Sequence, residues 1–164
     1  QNNISLIGYH LPLDAHPIFG NNAQLAKALG LTLTEALYPH EKNPVGNIAT
    51  LDKPIPVADF IQKIETSLGR KTLHLSGNNK TISRIGICTG GAQDMIEQAI
   101  KQGCDAYISG EVSERTTHIA SEMGIEYFAC GHHATERGGV KALGEYVQEQ
   151  LGLKVSFIDI DNPV

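Results

Sequence analysis

A histidine followed four positions later by an acid occurs twice in the chain, each time after an apolar run that contains or precedes a glycine. His10 and Asp14 follow residues 4–9, and His132 and Glu136 follow residues 125–131. Open α/β sheets bind ligands at the carboxyl ends of their strands. Imidazole and carboxylate together form a typical ligand set for divalent metal ions. The doubled motif therefore predicts two repeat-related halves, each with metal-binding groups at a strand end.

Apolar strand-like segments alternate with helical patterns along most of the chain, which predicts an α/β fold with parallel βαβ units. The predicted strands are Ile4–Tyr9, Asn47–Leu51, Thr72–Leu75, Arg84–Cys88, Ala106–Ser109, Ile125–Cys130 and Lys154–Ile160. The predicted helices are Ala23–Leu29, Val57–Leu68, Ala92–Lys101, Ser113–Glu122 and Glu136–Leu151. Asn21 or Asn22 is expected to cap the first of these helices. Two prolines predict a loop without a continuous helix between His10 and Phe19.

The proline-rich segment from Asp52 to Pro56 is the best predicted boundary between lobes. It divides the chain into residues 1–55, the remnant of a first α/β lobe, and residues 56–164, a second lobe. The second motif is preceded by a strand–helix–strand–helix block that the first motif lacks. We therefore expect the chain to be the carboxyl-terminal part of a larger protein, with apolar side chains uncovered around Ile4, Leu6 and Ile48.

Composition and charge exclude several classes of protein. A net charge of -5 provides no basic stripe for nucleic acid. No apolar run approaches the roughly 20 residues that span a bilayer. Three widely spaced cysteines, without CxxC spacing, are typical of buried free thiols in a reducing compartment. These features predict a cytoplasmic protein.

His132 and Glu136 share one face if they lie on a helix, because residues four apart are neighbours there. The alternative is an acid that only complements the helix dipole beside a surface histidine. Gly138 and Gly139 follow within the same predicted helix, where each costs about 1 kcal/mol relative to alanine. Such a pair suggests that another backbone or a ligand approaches closely.

Asp14 lies in a loop with prolines on both sides, which would help to hold a ligand carboxylate in place. The alternative is an aspartate that caps a turn. His10 is expected to orient Asp14 through a hydrogen bond rather than to bind metal. His133, beside His132, is likewise expected to support the metal ligands without binding metal itself. His16 is left open among ligand, supporting donor and packed residue.

Two further segments follow predicted strands. Thr89-Gly90-Gly91 could cradle a phosphate with its backbone amides, although a tight turn is the commoner cause of a glycine pair. Glu111 is either an acid that complements a helix dipole or a base that faces the metal ions. Glu136 and Glu111 are therefore the candidate catalytic acids.

The segments Gly8-Tyr9-His10-Leu11-Pro12-Leu13-Asp14-Ala15-His16-Pro17 and Gly131-His132-His133-Ala134-Thr135-Glu136-Arg137-Gly138-Gly139 resemble the YbgI proteins. These are the bacterial branch of the Nif-three-like family and are often labelled GTP cyclohydrolase I type 2 homologues. The similarity runs through Cys88-Thr89-Gly90-Gly91 to the ending Phe157-Ile158-Asp159-Ile160.

The resemblance implies two interlinked α/β lobes, a centre of two divalent metal ions between them, and a toroidal homohexamer. The family's metal ligands fall on Asp14, His132 and Glu136. Members also carry an amino-terminal His-His-Gly segment that supplies two more ligands, and this chain contains no such segment.

The sequence thus predicts a dinuclear metal protein that hydrolyses a nucleotide-like or phosphorylated small molecule. Histidine with carboxylates suits iron, manganese, zinc or magnesium, so the identity of the ions stays open. The alternatives are a metal-binding scaffold or regulatory ring without turnover, and a nucleotide-binding module built on Thr89-Gly90-Gly91.

Overall fold

A computed structural model describes residues 2–163 of the chain; Gln1 and Val164, the outer ends of the two predicted lobes, lie outside the described residues. The strands are β1 (Thr32–Ala36), β2 (Asn47–Pro56), β3 (Leu73–Leu75), β4 (Thr81–Ile87), β5 (Ala106–Ser109) and β6 (Glu126–Ala129). The helices are α1 (Leu11–Asp14), α2 (Asn21–Ala28), α3 (Val57–Leu68), α4 (Ile96–Lys101, preceded by a 3-10 turn at Gln93–Met95), α5 (Glu114–Met123) and α6 (His132–Leu151). The predicted α/β class is confirmed.

The strands form one six-stranded sheet in the order β1-β2-β4-β5-β6-β3. Within this sheet the pairs β4–β5 and β5–β6 are parallel, and the other three pairs are antiparallel. The sheet was expected to be mainly parallel, but in the described residues only β4, β5 and β6 pair in parallel. Parallel neighbours need a long crossover, and α4 and α5 provide the crossovers between these strands. The carboxyl ends of the three parallel strands meet at one edge.

Several predicted elements differ from the observed ones. Residues 4–9 and 154–160 are not strands; they have no strand partner among residues 2–163. Ile4 and Leu6 are 83% and 98% exposed, whereas Ile48, which was also expected to be uncovered, is buried because β2 pairs on both sides. The loop after His10 contains α1, whose proline occupies the first turn, where the missing N–H costs nothing.

The predicted boundary at residues 55 and 56 falls at the end of β2. That strand joins β1 to β4 in the single sheet. The division into two lobes stays a prediction.

Apolar side chains cover both faces of the sheet. Adjacent residues on β6 illustrate this: Phe128 packs edge-on against Phe60 of α3, while Tyr127 packs against Tyr107 in a separate cluster. Successive strand residues point to opposite faces, so β5 and β6 are buried along their whole lengths. The carboxyl edge of the parallel strands is therefore carried by strands that are packed on both faces.

The three cysteines are free and buried, as predicted. Burial raises the pKa of the Cys88 thiol to about 12, and the charges of Asp14 and Glu136 contribute to the rise. Across residues 2–163, no helix combines the length and apolar character that crossing a membrane requires.

Candidate metal centre

Three glycine-containing turns meet where β4, β5 and β6 end. The N–H of Gly110 donates to the carbonyl of Gly90 at 2.9 Å, and the N–H of Gly131 donates to the carbonyl of Gly110 at 2.9 Å. These bonds continue the parallel ladder beyond the strands. They bring Glu111 and His132, the residues that follow Gly110 and Gly131, side by side.

Gly90 has a φ of +69°, and a Cβ built there would lie 2.2 Å from Oε1 of Glu136 and 3.1 Å from Nε2 of His132. The glycine thus leaves room for the side chains of the second histidine–acid motif. The amide of Gly90 donates to Oγ1 of Thr135 at 3.1 Å, and the amide of Thr89 donates to Oδ1 of Asn22 at 2.9 Å. Because these two amides are already used, the turn favours close packing over a phosphate cradle.

His132 lies between two carboxylates. Its Nδ1 is 2.6 Å from Oε1 of Glu111, and its Nε2 is 3.2 Å from Oε2 of Glu136. The first contact assigns the Nδ1 proton to the bond with Glu111, so Nε2 is left as the electron-pair donor on the side of Glu136. Metal-binding histidines commonly receive their orientation from a carboxylate in this way.

The titration of these groups reflects their mutual contacts. The hydrogen bond from His132 to Glu111 is the main cause that raises the pKa of His132, and the charge of Glu136 adds to it. Burial raises the pKa of the Glu136 carboxyl, His132 lowers it, and the charge of Asp14 raises it again. Asp14 therefore lies close enough to Glu136 for like charges to interact, although the two residues belong to opposite ends of the chain.

Asp14 is buried at the end of α1, with 6% of its surface exposed. Its Oδ1 accepts a hydrogen bond from Nδ2 of Asn21 at 2.6 Å. Nε2 of His10 lies 3.8 Å from Oδ2, too far for a hydrogen bond, and the His10 side chain is exposed. Asn21 thus makes the contact that was expected of His10.

Asn21 was missed in this role because it was assigned as a possible helix cap. The cap residue of α2 is Gly20, and Asn21 and Asn22 lie buried in the first turn. His16 stays local: its Nδ1 accepts from the amides of Ile18 and Phe19 at 3.2 and 3.1 Å. Asparagine beside a helix start is equally typical of a cap, so no local signal distinguishes the two roles.

The glycine pair in α6 has the expected cause, a close approach by another element. A Cβ at Gly138 would lie 2.8 Å from Cβ of Gln24, and a Cβ at Gly139 would lie 2.6 Å from Oδ1 of Asn21. The amide of Gly139 donates to this same Oδ1 at 2.8 Å. Helix α2 therefore packs directly on the backbone of α6.

His133 points away from the partners of His132, toward Asp159, with 3.9 Å between Nε2 and Oδ1. Within residues 2–163, this buried Nε2 has no hydrogen-bond partner. A neighbouring cavity of about 560 Å³ connects this side with the candidate centre, and its walls include His132, His133, Glu136, Arg137 and Asp159. The predicted supporting role of His133 toward the metal ligands stays a prediction.

No group of three His, Cys, Asp or Glu side chains within residues 2–163 is arranged closely enough to hold a metal ion as it stands. The donor chemistry nevertheless fits one. A partly buried imidazole has its free nitrogen toward one carboxylate, and a second, buried carboxylate acts on the same acid. Burial is the main cause that raises the pKa of Glu136, and the charge of Asp14 adds to it; a cation bound between the two acids would favour their charged forms. Asp14, His132 and Glu136 could thus provide one open site.

The hydrogen bond between Glu111 and His132 leads to a testable prediction for the metal-free protein. Glu111→Gln should lower the pKa of His132 toward its ordinary value of 6.5, because the charged partner that stabilises the imidazolium is lost. NMR titration of the histidine ring protons measures this shift. Glu114→Gln, at an exposed position at the start of α5, should leave the titration of His132 as it is. An unchanged His132 pKa in Glu111→Gln would contradict the assigned contact.

The sheet, the glycine turns and the histidine–acid motifs define a protein class. The family model described as Duf34/NIF3 (NGG1p interacting factor 3) matches residues 1–163, and the chain belongs to this family. A protein of Haemophilus influenzae named GTP cyclohydrolase 1 type 2 homolog is 53% identical over 165 residues, which cover 99% of this chain and 64% of that protein. The protein of the same name from Vibrio cholerae is 49% identical and is covered to 66%. The chain thus spans about two thirds of the length of these relatives.

Solved structures agree with this assignment. The structure titled protein ybgI, unknown function, superposes with a TM-score of 0.89 at 47% identity, covering 96% of this chain and 62% of the other. The protein TTHA1606 from Thermus thermophilus superposes with a TM-score of 0.82 at 27% identity, covering 94% and 60%. The fold of the chain is therefore that of the YbgI proteins.

Proposed function

We propose that the chain provides Asp14, His132 and Glu136 as ligands of a divalent-metal centre. The observation that carries the proposal is the line of contacts from Glu111 through His132 to Glu136, with the charge of Asp14 acting on the same acid. Three protein ligands suffice for one open site. In the full-length protein, we propose two ions, with the further ligands supplied by residues outside this chain, between two interlinked lobes.

The proposed activity is hydrolysis of a nucleotide-like or phosphorylated small molecule. It rests on the names of the relatives, GTP cyclohydrolase 1 type 2 homolog, and on the cavity beside His132 and Glu136. Divalent ions, when bound, would lower the pKa of water at the centre and would stabilise the negative charge that develops during hydrolysis. Within the chain, Glu111 holds the tautomer of His132, and Glu136 is the carboxylate nearest its free nitrogen. Arg137, on the cavity wall, pairs with Asp159 at 2.8 Å, so an anionic substrate would bind it in competition with that carboxylate.

A ring of identical subunits without turnover is the second candidate. Exposed apolar side chains at both ends of the described chain favour self-association: Ile4, Leu6, Ile158 and Ile160 are each at least 70% exposed. We propose a homohexamer in the cytoplasm for the full-length protein. Incubating metal-loaded protein with a panel of nucleotides and phosphoesters distinguishes the two candidates, because a scaffold would release no product from any of them.

Metal analysis by mass spectrometry tests the centre itself. Glu136→Ala in the full-length protein should lower the metal content and any hydrolysis, because a ligand carboxylate is lost. Glu41→Ala, at an exposed position in the loop between β1 and β2, should change neither. Equal metal content in the two variants would mean that the motif of His132 and Glu136 is structural.

A further inference from the structure

Asn21 joins the two carboxylate-bearing segments of the candidate centre through a single amide group. Its Nδ2 donates to Oδ1 of Asp14 at 2.6 Å, and its Oδ1 accepts from the backbone N–H of Gly139 at 2.8 Å. The side chain is buried, with 6% of the residue exposed. Both polar ends of the amide therefore have protein partners in a buried position.

The position of Gly139 on α6 links this bridge to two of the proposed metal ligands. Gly139 lies three residues after Glu136 and seven after His132 on α6, so all three occupy one face of the helix. Asn21 is thus docked on the face that carries the imidazole and the carboxylate. Its other end holds the carboxylate of Asp14. The bridge thus connects the segment that carries Asp14 to the helix that carries Glu136, and its two ends on Asn21 and Gly139 are 118 residues apart in sequence.

The chemistry of the bridge requires an amide. It needs one donor toward a carboxylate and one acceptor toward an N–H, and Asn combines the two in a short side chain. A carboxylate at this position would face Asp14 without a proton to share. An apolar side chain would leave the buried oxygen of Asp14 without this donor and would break the link to the backbone of α6. The absence of a Cβ at Gly139 serves the same contact, since a methyl group there would lie 2.6 Å from the Asn21 oxygen.

We infer that Asn21 is a positioning residue that holds Asp14 at the correct distance from Glu136 for both to bind the same metal centre. The inference rests on the proposed function. Asn21 acts through Asp14 and through the backbone of α6 rather than as a ligand itself. Residues that orient metal ligands in this way typically change metal affinity about 10- to 100-fold when they are replaced.

Cobalt(II) titration of the full-length protein tests the inference, because the visible absorption of bound cobalt reports the geometry of its ligands. Asn21→Leu should lower cobalt affinity about 10- to 100-fold and alter the absorption spectrum. Gly139→Ala should act in the same direction, since it displaces the Asn21 oxygen without changing a ligand. The matched control is Gln24→Ala, on the same helix, which removes the bond from Nε2 to the carbonyl of Ile18 and leaves the bridge intact. It should keep the affinity and spectrum of the unsubstituted protein.

Each result has a defined reading. If the unsubstituted protein binds cobalt and Asn21→Leu binds it with the same affinity and spectrum, the positioning role is wrong while the metal centre stands. If Gln24→Ala loses as much affinity as Asn21→Leu, the effect belongs to the packing of α2 on α6, and the inference also falls. If the unsubstituted protein binds no divalent ion, the proposed function fails and the inference fails with it. Should Asn21→Leu not fold, Asn21→Ser, too short to span both partners, replaces it.

Discussion

Gly110→Ala should destabilise the protein by about 3 kcal/mol and abolish binding at the proposed metal centre, because a side chain there forces the ends of the parallel strands apart. A Cβ at Gly110 would lie 2.7 Å from the carbonyl oxygen of Gly90 and 2.7 Å from Cα of His132. Both contacts are with backbone atoms, so no side-chain rotation relieves them. Relief requires the turns that carry Glu111 and His132 to separate.

Chemical denaturation and metal titration measure the two effects together. Gly8→Ala is the matched control, since a Cβ at Gly8 would meet nothing within 4 Å, and its stability should stay within about 0.5 kcal/mol of the original. If Gly110→Ala retained both stability and metal affinity, the glycine turns could not be what brings Glu111 and His132 together.

Glu126→Ala should cost about 3 kcal/mol of folding free energy without changing metal content, because it removes the acceptor of three hydrogen bonds in a buried network. The Glu126 side chain is fully buried. Its Oε1 accepts from the amides of Gly77 at 2.9 Å and Asn79 at 2.7 Å, and its Oε2 lies 2.6 Å from Nε2 of His74. Alanine leaves these groups without partners inside the protein.

Two further variants make this prediction specific. Glu126→Gln keeps one carbonyl oxygen for the two amides, so its loss should be smaller, about 1 kcal/mol. Glu122→Ala, at an exposed position in α5, should change stability by no more than about 0.5 kcal/mol. The network would be energetically unimportant if urea denaturation gave Glu126→Ala and Glu122→Ala the same midpoint.

Elements with strong local patterns could be predicted from the sequence, and elements that depend on distant partners could not. Helix α3 begins and ends where its apolar periodicity predicted, and β5 likewise matches its apolar run. Residues 4–9 and 154–160 have strand-like patterns, but pairing requires a neighbour that local composition cannot reveal. Strand β1 was missed because its alternation of threonine with leucine is weak and it lies at an edge of the sheet.

In the candidate centre, too, the contacts set by local geometry could be predicted, and those between distant residues could not. The spacing of His132 and Glu136 predicted their shared face, since it depends only on helix geometry. Glu111 was singled out by its place after a strand, and its contact with His132 agrees with a supporting role. The bridging role of Asn21 and the pairing of His74 with Glu126 were not predicted, because the partners lie far along the chain: Gly139 is 118 residues from Asn21, and Glu126 is 52 from His74.

The bridge from Asn21 to Gly139 also bears on the order in which the protein folds. A contact between residues so distant in sequence closes a large loop, and the entropy of closing it is recovered only when the intervening sheet has formed. We therefore expect residues 21 and 139 to meet late in folding, after β4, β5 and β6 have paired. A chain in which only α6 has formed places His132 and Glu136 on one face but does not yet bring Asp14 to them. If a cation binds at the proposed centre, it stabilises the native state by the amount by which its binding to the folded chain exceeds its binding to the unfolded chain.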